Sequence, residues 1–137
     1  MEANIIYKDE CYRINRALFE VHKTLGPGLK ELNYQQALAI ELQHQGIPFE
    51  REKRFQSCYR GIKLENDYIA DFVCFDKIIV EVKAVSAIAD IHRMQVRNYL
   101  AITHYQLGLL VNFNEKYIRP ERIINPHFSH QEFSDIL

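Results

Sequence analysis

Tyr68-Ile69-Ala70-Asp71-Phe72-Val73-Cys74-Phe75-Asp76-Lys77-Ile78-Ile79-Val80-Glu81-Val82-Lys83 is the stretch that decides how this 137-residue chain folds. Two short apolar runs, rich in Val, Ile and Phe, flank Asp76-Lys77. Their length and composition read as the two strands of a hairpin. Each run carries charge where burial is expected: Asp71 in the first, Glu81 and Lys83 in the second. Ionised groups are costly to bury unless they pair or hold a metal. Side chains alternate along a strand, so Ile79, Glu81 and Lys83 share one face and Ile78, Val80 and Val82 the other. A two-residue turn at Asp76-Lys77 would pair Phe72 with Glu81 and leave Asp71 on the wrong face. A three-residue connection, Phe75-Asp76-Lys77, or a bulge brings Asp71 opposite Glu81.

Working outward, apolar residues at Ile14, Ala17, Leu18, Val21 and Leu25 predict a helix from about Asp9 to Leu25, stopped by Gly26-Pro27-Gly28. A second helix is expected from Glu31 to Gln45, lined by Tyr34, Leu38 and Leu42 and ended by Gly46 and Pro48. Phe49 to Tyr59 alternates like a strand, with Ile62 to Leu64 continuing it after Gly61. After the hairpin, a third helix is expected over Ala87 to Ile102, with Ile88, Ile91, Gln95, Tyr99 and Ile102 on one face. Gln106 to Phe113 reads as a buried strand and Glu121 to Asn125 as a short closing one. Ser129-His130-Gln131-Glu132 is a capping-box pattern before a final short helix. The order is that of a single α/β domain spanning residues 1–137, with a mixed sheet flanked by helices.

Composition narrows the function. The formal net charge is −1, which argues against a broadly basic coat for nucleic acid but leaves room for a local groove. Arg51, Lys53, Arg54, Arg60 and Lys63 form one basic cluster and Arg93 with Arg97 a second; both are equally readable as solvated faces. No basic segment followed by an apolar one opens the chain, and no stretch reaches the length of a membrane span, so a cytoplasmic protein without membrane contact is expected. Cys11, Cys58 and Cys74 are too widely spaced for a zinc ribbon and too few for a four-cysteine iron–sulphur cluster, and are expected as reduced, mostly structural thiols.

An acid on one strand followed by Glu-x-Lys on the next resembles the PD-(D/E)xK nuclease superfamily. Gly28-Leu29-Lys30-Glu31-Leu32-Asn33-Tyr34 reads Gly-x-x-Glu-x-x-Tyr and is similar to the motif that names the GxxExxY family within it. The flanking Val21-His22-Lys23-Thr24-Leu25-Gly26-Pro27 and Ala37-Leu38 resemble that family too. Gln95-Val96-Arg97-Asn98-Tyr99 is similar to the Gln-x-x-x-Tyr motif of RecB-like nucleases. Gly108 to Phe113 and Arg122-Ile123-Ile124 resemble its closing strands. The resemblance covers roughly residues 5 to 125. It implies a restriction-endonuclease-like core and a Mg²⁺- or Mn²⁺-dependent nuclease acting on DNA, less readily on RNA. The alternatives are a nucleic-acid-binding or protein-interaction module that keeps the fold without catalysis, or an enzyme acting on another phosphate ester.

Hard divalent cations take oxygen ligands and keep several waters, so two or three carboxylates suffice. Asp71 and Glu81 are the expected metal ligands, against the plainer reading of a hairpin-edge acid and an ion pair with Lys83. The resemblance adds the backbone carbonyl of Val82. Lys83 is placed to orient the attacking water or stabilise charge on the phosphorane. Glu31 at a helix start is explained by the helix dipole alone; the resemblance makes it the helix-borne acid of the site, on metal directly or through water. Tyr34 either contacts phosphate or packs. His22 is either a core residue or, as in RecB-like nucleases, a metal ligand. Gln95 and Tyr99, four apart, share a helix face: Gln95 would hold Lys83 or a phosphate, and Tyr99 would stack on a base, bond a phosphate or pack. A homodimer is a further expectation, because so small a core offers little surface for duplex DNA.

Overall fold

The computed structural model describes residues 5–127; the expected final helix lies outside them. Helices α1 (Lys8–Leu25) and α2 (Glu31–His44) precede strand β1 (Phe49–Phe55), a small hairpin of β2 (Cys58–Tyr59) and β3 (Ile62–Lys63), and the main hairpin of β4 (Tyr68–Cys74) and β5 (Ile78–Lys83). Helix α3 (Asp90–Thr103), β6 (Leu107–Asn112) and β7 (Glu121–Ile124) follow. The five-stranded sheet runs β1-β4-β5-β6-β7. Only β5 and β6 are parallel, joined by α3 as the crossover helix. The sheet is therefore mixed, and the α/β architecture is that of a restriction-endonuclease-like core.

Apolar faces dictate the layers. Ile14, Ala17, Leu18 and Val21 of α1 and Tyr34, Leu38 and Leu42 of α2 are buried against Phe72, Cys74, Val80, Val82, Leu107, Leu109 and Val111. On the opposite face Val96 and Leu100 of α3 pack with Val73, Ile79, Leu110 and Ile123. β5 and β6 are covered on both sides and are correspondingly continuous in apolar residues, Glu81 and the terminal Lys83 and Asn112 excepted. α3 lies so close to β6 that a Cβ on Gly108 would meet Val96 Cγ1 at 2.8 Å.

Three expectations need correction. β1 ends at Phe55, and Cys58–Tyr59 belongs with Ile62–Lys63 in a separate two-stranded sheet turned at Arg60-Gly61, where both φ angles are positive (52° and 77°). The buried stripe of α3 is Val96 and Leu100, while Ile91 and Ile102 are exposed at 65% and 40%. The helix is rotated so that residues four apart at 96 and 100 meet the sheet, leaving Gln95 and Tyr99 on the flank nearer the hairpin. Leu25 is likewise exposed, at the very end of α1.

Candidate active site

The main hairpin has an odd-length connection. Phe75 and Asp76 both adopt left-handed φ (54° and 57°) and the Lys77 N–H donates to the Cys74 carbonyl, as in a type I′ turn. Lys77 is then the extra residue, because Cys74 pairs with Ile78, Val73 with Ile79 and Phe72 with Val80. That register sets Asp71 opposite Glu81, although the ladder stops one pair earlier. Beyond Phe72 the strands part, since β4 continues along β1 to Phe55↔Tyr68. Within that pairing Glu52 and Asp71 drop out of the register, and Glu52 has φ 55°. The faces switch there: Phe72 and Cys74 point towards α1 and α2, whereas Ala70 and Tyr68 point towards α3.

Asp71 fills the gap left by the parting strands. Its Oδ2 accepts the Val82 N–H at 2.8 Å, a donor that would otherwise lack a ladder partner. A strand residue's N–H and C=O leave on the same edge, so the Val82 carbonyl faces the same gap. Glu81 is 5% exposed, and Tyr68 donates its hydroxyl to Glu81 Oε1. Burial, then the charge and hydrogen-bonding contact of Asp71, push the Glu81 carboxyl up to about 9, against the opposing pull of Tyr68 and Lys83. Two acids thus meet in a nearly dry place with one ammonium beside them.

The remaining residues arrive from the helices. Lys83, one pleat beyond Glu81, donates its Nζ to Gln95 Oε1 at 3.4 Å. Tyr99 shares a hydrogen bond with Gln95, and its hydroxyl is held above its ordinary value by burial and by Glu81. Glu31, at the first turn of α2, reaches the same cluster from the other helical layer: burial raises its carboxyl, with Lys83 pulling it down and Asp71 pushing it up. Asp71, Glu81, Lys83, Gln95 and Tyr99 are therefore brought together, with Glu31 standing near enough to feel the charges of Lys83 and Asp71.

Tyr34 and His22 are not. Tyr34 is fully buried and stacked on Phe113, ring centroids 4.7 Å apart. Its hydroxyl donates to the Gly26 carbonyl at 2.6 Å and accepts the Leu29 N–H at 3.0 Å. It ties down the Gly26-Pro27-Gly28 turn that launches Glu31, and offers no surface to a phosphate. His22 places Nε2 2.7 Å from the Glu115 carbonyl and leans on Phe113. Among the described residues no three His, Cys, Asp or Glu side chains are gathered around a common point suited to a metal, with or without His22. The donor set on hand is the Asp71–Glu81 pair and the Val82 carbonyl, with Glu31 standing off. All are oxygens, a set that fits a hard cation keeping several waters.

Sequence reading gave no role to Tyr68, which begins the decisive stretch. It is 5% exposed, stacked on Tyr99 at 3.5 Å and on Phe55 at 5.8 Å. Its signal was its parity: Tyr68 lies three residues before Asp71, and only the switch of faces at Asp71 turns both towards Glu81. Asn112 was missed too. It is buried, accepts the Val85 N–H and donates to the Val85 carbonyl, fixing the loop that follows Lys83.

The sequence profile of the PD-(D/E)XK nuclease superfamily matches residues 8–124. No curated protein matches the chain. Among solved structures, the crystal structure of SSO0001 is similar over 92% of this chain and 70% of that one, with 20% identity and a TM-score of 0.49. Membership in the superfamily implies a nucleic-acid substrate class and the divalent cations such nucleases typically use. Among the described residues no helix is long and apolar enough to cross a membrane. With a match over nearly its whole length, the chain belongs to the PD-(D/E)XK nuclease superfamily.

Proposed function

We propose that this chain is a Mg²⁺- or Mn²⁺-dependent nuclease that hydrolyses phosphodiester bonds of DNA, of the GxxExxY type. The observation that carries the reading is the meeting of Asp71 with the buried Glu81, one pleat from Lys83. Two acids that repel each other in a dry site are poorly explained as a structural pair, because a buried apolar pair would stabilise the hairpin better. They are well explained as ligands whose repulsion a divalent cation relieves. Asp71, Glu81 and the Val82 carbonyl would hold it, with Glu31 linked through water. Such a cation, when bound, supplies Lewis acidity and activates water for attack.

The chain's own groups do the rest. Lys83 offers its ammonium to the attacking oxygen or to a non-bridging oxygen of the scissile phosphate, where negative charge grows. Gln95 orients that ammonium through its Oε1. Tyr68 holds Glu81 in one rotamer, and Tyr99 roofs the pair by stacking on Tyr68. Tyr34 acts at one remove, by fixing the turn that aims Glu31.

The test is degradation of plasmid, single-stranded DNA and RNA with Mn²⁺ or Mg²⁺. Glu81→Ala should abolish cleavage and cation binding. Lys83→Ala should keep cation binding and lose cleavage by on the order of a hundredfold or more. A wild type that binds DNA but cleaves nothing with either cation would leave the non-catalytic module as the correct reading.

A further inference from the structure

Beyond Lys83, the loop between β6 and β7 walls two adjoining clefts that together form one groove. Lys83 and Asn112 are register partners on the parallel strands β5 and β6, with side chains on the same face and strands roughly 4.8 Å apart. Asn112 in turn lines a cleft of ≈ 360 Å³ with Arg119 and Glu121. A second cleft of ≈ 610 Å³ adjoins it, sharing Glu115 and Arg119 and adding Ser86 and Tyr117. The wall is anchored from behind: His22 contacts the Glu115 carbonyl, Gly28 N–H donates to Asn114 Oδ1 at 3.1 Å, and Ile118 is buried. Gly28, which opens the Gly-x-x-Glu-x-x-Tyr motif, and His22, which flanks it, thus fix this loop.

The groove has surplus positive charge and an exposed aromatic ring. Arg93 occupies both Glu121 oxygens, at 2.7 and 2.8 Å, and also pairs with Asp90. Arg119 and Arg97 lie near the same carboxylate and help to hold Glu121 below its ordinary value, after Arg93. With Glu121 saturated by Arg93, these two side chains are exposed and, among the described residues, form no ion pair. Tyr117 is 74% exposed, and Lys116 Nζ sits 5.4 Å from its ring centroid. A buried aromatic needs no explanation; a ring presented on an anchored loop beside guanidiniums is the pairing that single strands recognise, because each base has a face to stack and each phosphate a charge.

We propose that the groove lined by Asn112, Arg119 and Tyr117, beyond Lys83, binds single-stranded nucleic acid, with Arg119 and Arg97 each on a backbone phosphate and Tyr117 stacked on an unpaired base. The proposal rests on the nuclease reading above for its scissile end. Glu115, the acid of the wall, repels the backbone and directs it to the Arg119 side. Duplex DNA presents no free base face to Tyr117, so the groove selects against it.

Anisotropy of a labelled single-stranded DNA oligonucleotide, in EDTA, separates this inference from catalysis, with a blunt-ended duplex as comparison. Tyr117→Ala should weaken single-strand binding about tenfold and leave duplex binding unchanged. Arg97→Ala with Arg119→Ala should flatten the slope of log affinity against log salt by about 1.4, two phosphates' worth for a single strand. All three side chains are exposed, and the melting temperature should stay at the wild-type value. Unchanged affinity and salt slope, or equal losses on duplex, would overturn the groove. If the variants bind as wild type while Glu81-dependent cleavage persists, the groove falls alone. If wild type cleaves nothing yet the binding losses appear, the nuclease reading falls and the groove stands.

Discussion

Glu81 is the residue on which the site turns, and Tyr68 is what keeps it usable. The Tyr68 hydroxyl is the principal group drawing the Glu81 carboxyl down against burial and Asp71. Tyr68→Phe removes that pull while leaving the stack on Tyr99 and Phe55 intact. The Glu81 proton should then be held more tightly, and a cation must displace it. Partners that orient a ligand in this way are worth roughly 10–100-fold in metal affinity. Calorimetric titration with Mn²⁺ should show a loss towards the lower end of that range at pH 7, shrinking at pH 9. Equal affinity for Tyr68→Phe and wild type at both pH values would show that the tyrosine is only a packing residue. Cys74 makes a useful contrast, since its thiol is raised to about 12 by burial alone. Desolvation alone marks a core residue, whereas desolvation with a like charge in contact marks a site.

At the scale of elements, the strands of the hairpin were legible because two apolar runs and a forced parity left few registers. The three-residue connection, with Cys74 opposite Ile78, is the odd length that convergence of Asp71 and Glu81 requires. The switch of faces at Asp71 and Glu52 was not legible, because it comes from two strands distorting together at a pair distant in sequence. The rotation of α3 was misread for a related reason. Ile88, Ile91, Tyr99 and Ile102 give an apolar stripe by composition, but the sheet offers its closest approach at Gly108, and Val96 fits there. Backbone proximity chose the face, not hydrophobicity. Gly108→Ala should therefore destabilise: the new methyl meets Val96 Cγ1 at 2.8 Å, and overpacking of this kind costs about 1–3 kcal/mol. Urea unfolding would show it as a lower midpoint at unchanged slope. Pairing Gly108→Ala with Val96→Ala should recover part of the loss. If Gly108→Ala alone is neutral, α3 slides freely on β6 and the orientation of Gln95 and Tyr99 has another cause.

At the scale of the whole molecule, the acids of one helical layer, the hairpin and β7 share a single electrostatic account, and it predicts how stability responds to pH. Glu81, raised to about 9 in the folded chain, is stabilising in its protonated form: its contribution is full below the unfolded value near 4.5 and is lost as pH rises through 9. Glu31, also raised by burial, acts in the same sense. Glu10 and Glu121 are lowered, by Lys77 and Arg93 respectively, and lose their contributions only as the solution turns acid. Glu10 and Glu121 are surface pairs and carry little weight. Without cation, then, the melting temperature should fall steadily from about pH 5 to pH 9. A divalent cation binds the deprotonated pair, so its stabilising increment should grow over the same range, reaching about 2.7 kcal/mol wherever its concentration is a hundredfold above Kd. Thermal melts with Mn²⁺ and with EDTA, taken across that range, test both slopes at once. Glu81→Ala should flatten the fall in EDTA and abolish the Mn²⁺ increment. A Mn²⁺ increment that is the same at pH 5.5 and pH 8.5 would mean that the cation does not compete with protons for Asp71 and Glu81, and that it binds elsewhere on the chain.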